Sequence, residues 1–64
     1  MIMTIFEFGQ YVRPSNEALD NGVIRSGEIG IVVFDDGGQL IRVHRKGKKT
    51  SEWYHRKFWR ENYR

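Results

Sequence analysis

Gly30-Ile31-Val32-Val33-Phe34-Asp35-Asp36-Gly37-Gly38-Gln39-Leu40-Ile41-Arg42-Val43-His44-Arg45 is the stretch that decides the fold. Its first five residues are β-branched, aromatic or glycine, a composition that suits a strand. Asp35 to Gly38 supplies Asp-Gly and Gly-Gly pairs, whose freedom to take positive φ angles predicts a tight hairpin. Beyond it, Ile41 and Val43 fall on one side and Arg42 and His44 on the other, the period-two pattern of a half-buried antiparallel strand.

Working outward, Lys46-Gly47-Lys48-Lys49 reads as a second turn leading into Thr50-Ser51-Glu52-Trp53-Tyr54-His55. Thr, Trp and Tyr favour a strand, so the central segment is a three-strand meander. Upstream, Gly9-Gln10-Tyr11-Val12-Arg13 alternates like a strand and stops at Pro14, which cannot donate to a ladder. The polar loop that follows holds one helical turn over Asn16–Asp20, with Ser15 as its cap and Asn21-Gly22 as its end. Downstream, His55-Arg56-Lys57-Phe58-Trp59 lacks both alternation and helical length, which predicts a single 3₁₀ turn before a last short strand.

Gly9-Gln10-Tyr11-Val12-Arg13, followed after a loop by Gly27-Glu28-Ile29-Gly30-Ile31-Val32, resembles the G-x-x-V-x … G-x-x-G-x-V layout of KOW-type and related SH3-like domains. Such domains occur in ribosomal proteins, transcription factors and small bacterial or phage proteins. The resemblance implies an all-β chain, a small SH3-like barrel of about five antiparallel strands with one short 3₁₀ turn. It also implies that Gly30 sits where strand backbones approach closely and a side chain would clash. In a barrel this small, side chains fill the interior and leave no room for a substrate.

Composition bounds the remaining possibilities. The 64 residues are enough for one core, and 39% hydrophobic with 14% aromatic residues makes that core small and aromatic-rich. With no cysteine, neither disulfides nor thiolate-bound zinc can supplement it, which makes the cytoplasm the expected compartment. No apolar run approaches the ~18 residues that span a bilayer, and Met1–Phe6 lacks the basic start of a signal peptide, so no membrane partner is expected. The apolar segment Ile2–Phe6 is a candidate for pairing with a second copy, leaving monomer or weak homodimer open.

Chemistry has few footholds. Ser15, Ser26 and Ser51 lie in turn-like segments and neither His44 nor His55 carries a triad signature, so no catalytic role is expected. Two histidines eleven positions apart match no zinc spacing, and Asp35-Asp36-Gly37-Gly38 lacks the acid spacing of an EF-hand. No metal or other cofactor is called for.

Charge is the more informative signal. The net charge is +3, but residues 1–41 hold two arginines against six carboxylates, a balance of −4, and residues 42–64 hold nine Lys or Arg against two glutamates, a balance of +7. The basic third also contains Trp53, Tyr54, Phe58 and Trp59. Cations attract phosphates by releasing counterions, and aromatic faces stack on unpaired bases. Low-specificity nucleic-acid binding, to DNA or RNA, is therefore the leading expectation, carried by Arg42, Arg45, Lys46, Lys48, Lys49, Arg56 and Lys57 with stacking by Tyr54 or Trp59. If Arg42 and His44 share one outer strand face, they form a continuous positive stripe with the lysines of the adjoining turn.

Two rival expectations stand beside it. Trp53 and Phe58 are expected to be core, and Trp59 beside Arg56 and Arg60 is expected to be the more exposed tryptophan. A protein-binding module is the alternative function, with Tyr11 and Tyr54 forming an aromatic groove for an extended peptide and Glu17 and Asp20 pairing with basic ligand residues.

Overall fold

The computed structural model describes residues 5–62. Alternation and turn residues produce five strands: β1 (Tyr11–Pro14), β2 (Gly30–Phe34), β3 (Leu40–Arg45), β4 (Glu52–His55) and β5 (Trp59–Glu61). A five-residue helix α1 (Asn16–Asp20) lies between β1 and β2, and a 3₁₀ turn (Arg56–Phe58) joins β4 to β5. The Ser15 side chain accepts from the Ala18 amide to start α1, Asn21 ends it, and Gly22 turns the chain away at φ 69°. His55 caps the 3₁₀ turn by accepting from the Lys57 amide through Nδ1.

All five strands belong to one antiparallel sheet in the order β4-β3-β2-β1-β5, the all-β class expected from the sequence. The two edge strands, β4 and β5, are consecutive in the chain and separated only by the three-residue turn. Three residues of 3₁₀ helix rise about 6 Å, so the sheet must roll until its edges come together. Tyr54 of β4 and Trp59 of β5 meet across that seam edge-to-face, with ring centroids 5.3 Å apart. Ser15 ties the seam to the far end of β1: its amide donates to the Phe58 carbonyl at 2.9 Å, and its hydroxyl to that of Lys57.

Inside the roll lie Phe6, Val12, Ala18, Ile24, Val32, Ile41, Val43 and Trp59, with Tyr54 and Phe58 packed against them. Val12, Val32, Ile41 and Val43 are the inward members of their strands, as period-two alternation requires. Gly30 is needed here for space. A Cβ on it would collide with Val43 Cγ1 and stand 3.3 Å from the Trp59 ring, so the obstruction is side chains rather than the strand backbones expected from the sequence. Gly30→Ala is expected to cost about 1–3 kcal/mol through overpacking, read as a lower urea midpoint; an unchanged midpoint would show that Val43 and Trp59 give way freely.

Three local expectations are corrected. The hairpin forms between β2 and β3, with Gly37 at φ 91°, but it is less tight than expected, with a bulge between Val32 and Phe34 and a link over 35–39. The link is stabilised by Asp side chains: Asp35 and Asp36 accept from the amides of Gly37 and Gly38, which favours a wider turn. Trp53 is 51% exposed rather than buried, because β4 pairs with β3 so that Trp53 stands opposite outward Arg42. Trp59 is 4% exposed, because its partner is the buried Pro14. The self-pairing segment Ile2–Phe6 falls outside the described residues up to Thr4; of the remainder, Ile5 is exposed and Phe6 enters the core.

Candidate nucleic-acid interface

Antiparallel register determines which side chains share the outer surface. Tyr11 stands opposite Ile31, and Ile31 opposite His44, giving one outward row across β1, β2 and β3. Phe34, Arg42 and Trp53 form a second row across β2, β3 and β4. Arg13 and Arg60 face each other on β1 and β5, both exposed. Among the described strands the only carboxylates are Glu52 and Glu61, and these pair with inward Val43 and Val12. The outward strand positions carry Arg13, Arg42, Arg60, His44 and His55, while Glu52 is exposed at the start of β4.

The positive stripe of the sequence is thus assembled at one end of β3. Arg42 and His44 point outward two positions apart, and the Lys46–Lys49 turn continues from the strand, reversing at Gly47 with φ 86°. His44 Nε2 donates to the Lys48 carbonyl at 2.7 Å and holds that turn against the strand. Lys46, Lys48 and Lys49 are exposed, and none pairs with a carboxylate among the described residues. A groove lined by Tyr11, Ile29, Ile31, His44, Lys46 and Lys48 runs beside the turn. A second, holding Arg13, Arg60, Leu19 and Glu28, shares Ile29 with it.

Four other expected contacts are placed elsewhere. Arg56 is 9% exposed, and its guanidinium grips both oxygens of Asp35, with Nη1 to Oδ2 at 2.7 Å, while Nε and Nη2 donate to the Gly38 carbonyl. The hydrogen bonds from Arg56 hold the Asp35 carboxyl down to about 2, helped by the amides of Gly37 and Phe6, and Asp35 in turn raises the Arg56 pKa. Arg45 donates to Glu28 at 2.6 Å and to the Tyr54 hydroxyl, lowering the Glu28 carboxyl below its usual range and raising its own. Both arginines are structural, since each is committed to a carboxylate.

Trp59 is enclosed in the core and cannot stack on a base, and its indole N–H is buried without an acceptor. Tyr54 is half-buried against Trp59 opposite inward Ile41. This also dismantles the peptide groove, because Tyr11 faces out and Tyr54 faces in, leaving the sheet between them. Glu17 lies 3.8 Å from Lys57 on the exposed surface, and Asp20 is exposed at the end of α1. Lys57 also sits 5.5 Å from the Phe58 ring centroid, so it is partly engaged.

Register supplies what the sequence did not single out: Arg13, Arg60, Ile31, Phe34 and Trp53 on the outer surface. The first two were legible as cations, but only the β1–β5 pairing brings them together. Among the described residues no cluster of His, Asp and Glu could hold a metal ion, and no helix is long and apolar enough to cross a membrane. Compared with known proteins, the chain matches no family model, no curated protein and no solved structure.

Proposed function

We propose that the protein is a non-catalytic binding module whose ligand is nucleic acid, held by the Lys46–Lys49 turn and by outward Arg42, Arg13 and Arg60. One observation carries this: Arg13, Arg42 and Arg60 stand on the outer strand face, which runs directly into three exposed lysines that pair with no carboxylate among the described residues. Cations outnumber carboxylates along that path, so a polyanion meets net attraction. Phosphate contacts position a ligand without reading its bases, so sequence preference is low. The absence of cysteine supports a cytoplasmic location.

The test is a salt titration with a labelled oligonucleotide. Each lost phosphate contact flattens the slope of log K against log salt by about 0.7–0.9. The Lys46→Ala/Lys48→Ala/Lys49→Ala variant is therefore expected to reduce the slope by about 2–3 while its circular dichroism matches the parent. Failure of the parent to bind DNA or RNA at low salt removes the proposal.

A further inference from the structure

We infer that the preferred nucleic acid is single-stranded, its bases stacking on Trp53 and Tyr11 while its phosphates follow the outward face of β3; this rests on the reading just given. Trp53, Tyr11 and Phe34 are 51%, 46% and 45% exposed. Large aromatic rings are costly to leave in water, and on this surface Arg42 and His44 share their rows. Phe34 meets Trp53 edge-to-face at 5.7 Å, and the Arg42 guanidinium carbon lies 5.7 Å from the Trp53 ring centroid. Arg42 is itself held, because its Nε donates to the Ser51 hydroxyl. The indole is therefore oriented by its neighbours, with about half its surface still open, and a cation sits beside it.

Spacing follows from the sheet. The row containing Trp53 crosses β3 at Arg42 and the row containing Tyr11 crosses it at His44, two residues further on. Two residues of strand advance about 7 Å, a step that accommodates one extended nucleotide. Continuing the same step reaches Lys46 and the turn. Phosphate-binding groups thus recur along β3, and aromatic rings flank it on both sides.

A duplex does not use this arrangement. Its base faces are hidden in the stack, and reading its major groove calls for a helix or a protruding two-stranded ribbon. The longest helix among the described residues has five residues and packs against the 3₁₀ turn and β1, and Trp53, Tyr11 and Phe34 lie on strand faces. Unpaired bases offer the π-faces that Trp53 and Tyr11 match, and stacking tolerates any base.

The experiment compares a labelled twelve-nucleotide oligo(dT) with a twelve-base-pair duplex by fluorescence anisotropy at equal salt, together with tryptophan emission. Trp59 is buried, so quenching on binding reports Trp53. Oligo(dT) is expected to bind at least about tenfold more tightly than the duplex and to quench the emission, which Trp53→Phe abolishes. Trp53→Ala and Tyr11→Ala are each expected to weaken oligo(dT) binding about 5- to 100-fold, the worth of one stacked base, without altering the salt slope. Equal or tighter duplex binding, or an unaffected Trp53→Ala, overturns the inference while leaving salt-dependent binding through the lysine turn intact. Absence of binding to either probe at low salt overturns the underlying reading as well. Thermal melting of both variants controls for fold.

Discussion

Arg56→Ala is expected to lower the stability of the folded protein by about 3–5 kcal/mol, enough to leave a domain of this size largely unfolded at 37 °C. The ion pair it breaks is buried, with side-chain exposures of 10% for Arg56 and 0% for Asp35. Removing one partner strands a charge away from water, a far larger penalty than the pair itself contributes. Asp35 is also a junction. Its carboxylate accepts from the amides of Phe6 at 2.8 Å and Gly37 at 2.9 Å as well as from Arg56, so it ties the N-terminal core residue, the β2–β3 link and the 3₁₀ turn together. Acid should act on the same point. A carboxyl held to about 2 contributes stability that is complete above the ordinary aspartate range near 4 and is lost as pH falls through 2. The loss amounts to about 2 kcal/mol. Urea midpoints measured at pH 7, 4 and 2 check both points: the parent should weaken between pH 4 and 2, whereas a flat profile would show that Asp35 is not held as described.

Trp59→Ala should be comparably severe, costing about 3–5 kcal/mol, whereas Trp53→Ala should cost less than about 1 kcal/mol. The two residues are chemically identical and six positions apart, yet one is enclosed by Tyr54, Gly30 and Pro14 and the other stands in solvent beside Arg42. Trp59→Phe is the instructive intermediate. It removes ring area but also an indole N–H that has no acceptor, and an unmet buried donor costs about 1–3 kcal/mol. Its net effect should therefore fall well short of the alanine variant. Thermal unfolding followed by circular dichroism orders the three variants, and equal melting temperatures for Trp53→Ala and Trp59→Ala would contradict the register of β4 and β5.

These paired tryptophans also show how far a sequence of this kind can be read. Strand positions were legible because Ile41-Arg42-Val43-His44 and Gly30–Phe34 carry local signals, and so were the Ser15 cap and the 3₁₀ turn. Which way Trp53 and Trp59 point is not local. Trp53 lies in Glu52-Trp53-Tyr54-His55, where no alternation marks an inner side, and only its pairing with Arg42 decides the matter. The candidate interface divides in the same way. Lys46, Lys48 and Lys49 were visible because a turn exposes its side chains, whereas Arg45 and Arg56 are drawn to Glu28 and Asp35, partners 17 and 21 positions away that composition cannot pair with them. Phe6 and Ile24 joined the core unannounced, since each lies in a segment with no periodic pattern.

The alternation that sends Val12, Val32, Ile41 and Val43 inward and Tyr11, Ile31, Arg42 and His44 outward has a practical corollary. Successive residues of each strand answer to separate demands, so the outer set can be rewritten for a new ligand while the inner set is left untouched. The domain is thus a candidate scaffold for retargeting, with the Asp35–Arg56 and Glu28–Arg45 pairs as the ones that any redesign has to spare.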